Sequence, residues 1–283
     1  MGPFMYRILR KESLTPEAYK IEIEAPEVVK KCKPGHFIIL RIDELGERIP
    51  LSLAGYDPRK GTITVIFLAT GKTTLKLASM TEGDSLLNLA GPLGNPSVID
   101  YFGHVVCCGG GLGIAPLYPI ARELKEKGNK VTIIIGARRK DLLFYESELK
   151  KVSAQLYVTT DDGTKGRKGF VTDQLQDLLK MEEKIDRVIA IGPAIMMKAV
   201  ADITRPYNVK TVVSLNSIMV DGTGLCGACR VEIGGETKFT CVDGPEFDAH
   251  LVDFDLLMKR LNTYLPEEKR SKELFHKSQG MVV

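Results

Sequence analysis

Four residues near the C-terminus have types and spacing that suit a metal centre. Asp221, Cys226, Cys229 and Cys241 are separated by four, two and eleven residues in turn. With cysteine at the first place this would be the C-x4-C-x2-C…C run that holds a [2Fe–2S] cluster. Aspartate keeps the spacing and changes one donor from soft sulfur to hard oxygen. The same donors also suit a tetrahedral structural zinc, although zinc sites usually pair two short cysteine knuckles and this run has one. A third reading keeps the cluster and makes Asp221 a bystander, with water or another residue completing the site.

A second constellation suits a nucleotide. Gly109-Gly-Gly-Leu-Gly113-Ile-Ala115-Pro116 follows an apolar stretch and precedes a helical pattern. Glycines at Gly110, Gly111 and Gly113 let a backbone approach a pyrophosphate closely, and the helix start offers free N–H groups and a positive dipole end. The bland alternative is a tight structural turn, and the order departs from G-x-G-x-x-G, which implies a different nucleotide-binding topology. Gly192-Pro193, opening the segment with Met196 and Met197, also follows a strand pattern, as do Gly136-Ala-Arg138-Arg139 and Thr159-Thr-Asp161-Asp162-Gly163. Ligands in open α/β sheets sit at the carboxyl ends of strands, so these segments would share one pocket. Arg138 could reach a ribose 2′-phosphate or be a solvated arginine beside Lys140. At least one of Met196 and Met197 should fill the core. In the N-terminal half, Arg48-Ile-Pro50-Leu51-Ser52-Leu53 reads as a strand edge with one hydroxyl, and Gly71-Lys-Thr73-Thr74 as a strand end entering a short helix. On spacing alone both are ordinary structure.

The elements that must position these residues fall into two patterns. Residues up to about 100 carry short strand-like segments, Tyr19 to Ile23, Phe37 to Ile42, Thr62 to Leu68 and Ser85 to Leu89, punctuated by Gly and Pro, as in a small antiparallel barrel. Strands then alternate with helices: His104 to Cys108, Ile114 to Lys127, Val131 to Ile135, Asp141 to Lys150, Gln155 to Thr159, Phe170 to Leu179, Arg187 to Ile191, Ala194 to Ile203 and Lys210 to Val213. This alternation predicts a parallel sheet covered on both faces. From about Leu215 the chain is glycine-rich and cysteine-bearing, with a helix over Asp253 to Leu261 and a polar stretch after it. The expected division is 1–100, 101–214 and 215–283.

Composition narrows the rest. The 283 residues, 44% hydrophobic and 27% charged, suit two compact globular domains and an appendage. No apolar run is long enough to span a membrane. The N-terminus lacks the apolar stretch of a secretory signal, which places the chain in the cytoplasm. A net charge of +3 with no basic stripe argues against nucleic acid. Cys107, Cys108 and Cys32 read as small buried hydrophobes.

Together these segments resemble the ferredoxin–NADP reductase superfamily, an FAD-binding β-barrel followed by an NAD(P)-binding α/β domain. The glycine turn ending in Ala115-Pro116 and the Gly192-Pro193…Met196-Met197 segment carry the likeness. Within it, the ending Cys241-Val-Asp-Gly-Pro245 is similar to that of the dihydroorotate dehydrogenase electron-transfer subunits. Those have an all-cysteine cluster and an Arg-Pro-Ile-Ser flavin motif. Here Asp221 stands in the first cysteine place, Ile49 in the arginine place with Arg48 one position early, and Thr73-Thr74 in place of a Gly-Thr pair. Aspartate at that place is similar to the small subunit of NADH-dependent ferredoxin:NADP oxidoreductase, or sulfide dehydrogenase.

The resemblance implies FAD, a [2Fe–2S] cluster on Asp221, Cys226, Cys229 and Cys241, and NADH in preference to NADPH. It implies that Pro50, Leu51, Ser52 and Leu53 line the flavin with Ile66, Phe67 and Leu68 beside it, and that Thr73 and Thr74 hold its phosphates. Ser52 is expected near flavin N5 and Cys108 near the nicotinamide, with no acid–base triad. It implies a heterodimer or larger complex with a flavoprotein subunit bearing iron–sulfur clusters, which connects the chain to ferredoxin. The apolar face of Phe254, Leu257, Met258 and Leu261 would pack on this chain or dock that subunit. A dihydroorotate dehydrogenase subunit and a non-enzymatic redox-sensing module are the alternatives.

Overall fold

The structure, a computed structural model, describes residues 6–278. The part of the N-terminal leader reading that falls on residues 1–5 lies outside the described residues.

The N-terminal part is built from β1 (Tyr6–Ser13), β2 (Ala18–Glu24), α1 (Pro26–Val29), β3 (Phe37–Arg41), β4 (Ile49–Asp57), β5 (Thr62–Leu68), α2 (Lys72–Ser79), β6 (Ser85–Leu86) and β7 (Asn88–Leu93). Its strands pair antiparallel in the order β6-β1-β2-β5-β4-β3-β7, a nearly closed barrel. Side chains alternate across the pleat, so Ile21 and Ile23, Leu51 and Leu53, and Ile63, Val65 and Phe67 fill the interior. Sequence reading missed β1 and gave β4 only as an edge; both are needed to wrap the barrel. It also read Ser85 to Leu89 as one strand, where the chain pairs first with β1 and then, as β7, with β3.

The second part runs β8 (His104–Gly110), α3 (Ile114–Glu126), β9 (Lys130–Ala137), α4 (Glu146–Val152), β10 (Gln155–Thr160), β11 (Arg167–Lys168), α5 (Val171–Leu179), β12 (Arg187–Ile191), α6 (Ala194–Thr204) and β13 (Lys210–Ser214). The strand order β11-β10-β9-β8-β12-β13 is parallel throughout. β8 and β12 are buried along their whole length, as strands covered on both faces must be. One apolar core lies under α3 and α4 and the other under α5 and α6. α4 starts later than the sequence pattern suggests, because Tyr145 takes a left-handed φ of 61° just before it.

The third part contains β14 (Arg230–Ile233), β15 (Glu236–Phe239), β16 (Glu246–Asp248), α7 (Phe254–Leu261) and α8 (Leu265–Ser278). β14 and β15 form a hairpin turned by Gly234 and Gly235, whose φ values of 61° and 81° are those of a primed two-residue turn. β16 returns to the parallel sheet as an antiparallel edge beside β13, so the C-terminal segment is stitched to the α/β layer. α7 begins where the Asp253 carboxylate accepts the Leu256 N–H, and Phe254 and Leu257 are buried against the α6 side of the sheet. The stretch expected to be merely polar is α8, which buries no residue.

Candidate functional site at the meeting of three segments

Strand order reverses between β8 and β12, whose following helices lie on opposite faces of the sheet. This reversal opens a crevice at their carboxyl ends. Glycines hold the crevice tight. A methyl group on Gly113 would lie 2.1 Å from the Ile191 carbonyl oxygen, and one on Gly110 would lie 2.4 Å from the Met196 sulfur. Gly111, by contrast, has φ 53° and open space around it. The backbone there faces a cavity of about 980 Å³.

The barrel, the parallel sheet and the C-terminal segment all contribute to that cavity. Pro50, Leu51, Ser52, Ile66 and Leu68 come from the barrel, and Gly110, Gly111, Gly113, Pro116, Arg138, Asp161, Gly192, Pro193 and Met196 from the sheet. Leu215, Ser217, Met219 and Pro245 complete it from the third part, and sequence reading singled out none of these as lining. Ser52 is exposed on the cavity face of β4, between the buried Leu51 and Leu53. Arg138 and Asp161 lie at neighbouring strand ends, the Asp161 N–H donating to the Ala137 carbonyl.

Several expected contacts are not brought to the cavity. Leu53 and Phe67 are fully buried in the barrel interior, because the pleat turns them away from the outer face that carries Ser52 and Ile66. Ala115, in the first turn of α3, faces the core between that helix and the sheet. Cys108 points into the core under α5 and α6 while Cys107 faces the α3 side, and burial pushes both thiols up, Cys107 to about 12. Met197 is core, and Met196 lines the cavity.

Gly71, Thr73 and Thr74 sit at the start of α2, away from the cavity lining. There the Thr74 hydroxyl accepts from the Gly71 N–H at 3.1 Å, and the Thr73 hydroxyl donates to the Glu47 carboxylate at 2.6 Å. Glu47 also faces Lys72 at 3.7 Å, so a carboxylate occupies the anion-favouring helix start.

The candidate metal ligands lie in two arms. Cys229 and Cys241 are buried with their sulfurs 3.1 Å apart, well beyond the about 2.05 Å of a disulfide. Burial, then the hydrogen bond shared with Cys229, pushes the Cys241 thiol up to about 12. Cys226 is exposed, and backbone N–H groups, that of Ala228 first, hold its pKa down. The Asp221 carboxylate accepts from the Thr223 hydroxyl and, at 3.0 Å, from the Thr223 N–H; these bonds lower its pKa, as does the charge of Arg48. Among the described residues no three His, Cys, Asp or Glu side chains converge on one point. The donor set nonetheless fits a cluster: three sulfurs and one oxygen, with N–H groups of Gly224, Ala228 and Asp221 directed at sulfur.

A nucleotide crevice, an adjoining barrel and a cysteine loop packed on that barrel define a pyridine-nucleotide oxidoreductase with an iron–sulfur segment. Residues 107–202 match the oxidoreductase NAD-binding domain, and residues 216–253 match the iron–sulfur cluster binding domain of dihydroorotate dehydrogenase B. The chain belongs to the family of dihydroorotate dehydrogenase B electron-transfer subunits and their homologues. It is 48% identical to the electron-transfer subunit homolog of Thermotoga maritima over 99% of this chain and 98% of that one. The probable electron-transfer subunit of Methanopyrus kandleri is 36% identical, over 78% of this chain and 81% of the other. A solved chain of NADH-dependent reduced ferredoxin–NADP oxidoreductase, described in connection with flavin-based electron bifurcation, superposes with a TM-score of 0.91 at 48% identity, covering 97% of this chain and 99% of its own. No described helix is long and apolar enough to cross a membrane.

Proposed function

We propose that this chain carries FAD, takes a hydride from NADH, and passes single electrons through a [2Fe–2S] cluster to or from a larger flavoprotein subunit. In this reading it is the small subunit of an NADH-dependent ferredoxin:NADP oxidoreductase, working as a cytoplasmic heterodimer or larger complex. The observation that carries the reading is the one cavity bounded by barrel, nucleotide crevice and cysteine segment together. Bound FAD would supply the conversion between two-electron and one-electron transfer that a nicotinamide and a cluster each lack.

The residues of the chain then bind and orient. Gly110, Gly111 and Gly113 with the start of α3 cradle a pyrophosphate, their missing side chains leaving room for it beside the positive end of the helix. Ser52 offers a hydroxyl where the flavin ring would lie, and Pro50, Ile66 and Leu68 give it an apolar bed. The Asp161 carboxylate suits the two ribose hydroxyls of NADH and opposes a 2′-phosphate, which Arg138 alone would favour. Asp221, Cys226, Cys229 and Cys241 supply the cluster ligands. For Thr73 and Thr74 the reading assigns the start of α2 to the flavin phosphates, with Glu47 displaced.

The test is diaphorase activity of the anaerobic, FAD-loaded protein. NADH should reduce a one-electron acceptor such as ferricyanide over many turnovers, and NADPH should do so far more slowly. A flavin-loaded protein that NADH cannot reduce contradicts the reading and favours a redox-sensing module. A second reading, the electron-transfer subunit of a dihydroorotate dehydrogenase, is favoured by the names of the relatives. Co-purification separates them: an iron–sulfur flavoprotein partner supports the first and a dihydroorotate-oxidising partner the second.

A further inference from the structure

Two side chains belong both to the wall of the large cavity and to the packing around the buried cysteines: Phe37 and Met219. Phe37 opens β3 and stands directly across from Ser52 on β4 and from Leu93 on β7. Phe37 is only 4% exposed, and it packs with Ile39, Cys229 and Cys241. The strap beyond Cys241 closes the other side. A methyl group on Gly94 would lie 2.8 Å from the Phe37 Cε1 and 3.0 Å from the Pro245 Cδ, so ring, turn and strap are in close contact. Asn95 ties the strap down, its N–H donating to the Gly244 carbonyl at 2.7 Å and its side-chain amide to the Val242 carbonyl at 3.0 Å. On the same barrel face, a methyl group on Gly222 would lie 2.8 Å from Ile39, which seats the Asp221 end of the loop.

We infer that Phe37, backed by Met219, is the packed bridge through which single electrons cross between the flavin cavity and the Cys229–Cys241 side of the cluster. This rests on the proposed function above. For each NADH oxidised, a hydride and one solvent proton arrive at the flavin. The two electrons then leave singly, each reducing one oxidised cluster, while the two protons return to solvent and the partner subunit drains the cluster between transfers. Electron transfer between fixed centres depends on the medium between them, and close-packed atoms couple better than a void. Protein interiors rearrange little around a deleted side chain, so removing this ring leaves a gap in the bridge. Phe37 is thus a positioning residue, packed between the cavity and the ligand sulfurs.

The experiment uses full-length protein carrying flavin and cluster, mixed anaerobically with NADH. Flavin bleaching is followed by stopped flow and cluster reduction by freeze-quench EPR. Phe37→Ala should slow cluster reduction several-fold more than it slows flavin reduction. Phe37→Leu should lie between it and the native protein, and Met219→Ala, outside the barrel interior, should slow the same step without affecting folding. The EPR g values and the potentials of both centres should stay at native values in all three. Native cluster-reduction rates in both alanine variants would overturn the inference while leaving the proposed function intact. So would a slowing matched by shifted g values or potentials, which marks a merely structural role. A native protein without flavin, or one whose flavin NADH cannot reduce, would overturn the function and the inference with it.

Discussion

At the residue scale, the four candidate ligands differ more in environment than their spacing suggests. Cys229 and Cys241 are buried partners, whereas Cys226 stands exposed with backbone N–H groups favouring its thiolate. Thiolate character and access govern thiol reactivity. In metal-free protein, brief treatment with iodoacetamide should therefore modify Cys226 first, with Cys229 and Cys241 protected, as read by peptide mass mapping. Cluster loading should then protect Cys226 as well; equal labelling of all three thiols in the metal-free protein would contradict the arrangement. The iron–sulfur segment was legible because its signal lies in residue type and spacing alone. The near approach of Arg48 to Asp221 was not legible, since Arg48 sits on the barrel strand edge far away in sequence, and only the folded loop brings their charges together.

At the scale of elements, the glycine turn is a matter of close approach more than of flexibility. Gly113 faces a backbone carbonyl that cannot move aside, so Gly113→Ala should overpack the β8–β12 edge and cost about 1–3 kcal/mol or more. Gly111→Ala meets open space and should cost only the backbone strain of positive φ, about 1–2 kcal/mol. Urea denaturation midpoints of the two variants check the order; equal losses would contradict it. The parallel strands and most helices were readable because apolar runs and 3.6-residue spacing survive in the sequence. The face presented by each barrel residue was less so. Barrel interior and cavity wall are both apolar, so Ile66 and Phe67 look alike until the pleat assigns them. The β14–β15 hairpin carried a readable signal in Gly234-Gly235 that the cysteine pattern overshadowed. α8 carried little signal, since a helix that buries nothing has no apolar stripe to mark it.

At the scale of the whole molecule, one buried cluster of polar groups joins all three parts. Ser97, in the linker after the barrel, donates its hydroxyl to the Glu246 carboxylate on β16, and Arg187 at the start of β12 adds its charge while its guanidinium lies 3.6 Å from the Phe102 ring centre. Burial raises the Glu246 pKa, and the Ser97 hydrogen bond and Arg187 offset this only in part. In the unfolded chain Glu246 loses its proton near its ordinary 4.5, and in the folded chain at higher pH. Between those values the folded state holds the extra proton, so this group's stabilisation is full below 4.5 and is lost as pH rises through the folded value. The difference in melting temperature between native protein and Glu246→Gln should accordingly turn against the native protein as pH is raised from about 4 to 8. A difference independent of pH would show that the junction does not hold Glu246 as described. The change from short antiparallel strands to alternating strands and helices was legible from the change of pattern. The return of β16 to the parallel sheet was not, because a three-residue edge strand leaves too short a pattern to read.

The central claim is that NADH electrons reach a cluster held by this one chain. Its most direct measurement is an anaerobic NADH titration of the purified protein, with flavin, iron, sulfide and zinc quantified and EPR recorded at each point. The account predicts one FAD with two irons and two sulfides per chain, flavin bleaching on NADH addition, and the EPR signal of a reduced [2Fe–2S] cluster that changes in Asp221→Cys. Colourless protein with one zinc per chain, or a cluster that stays oxidised while the flavin is fully reduced by excess NADH and remains so in the presence of the partner subunit, would contradict it.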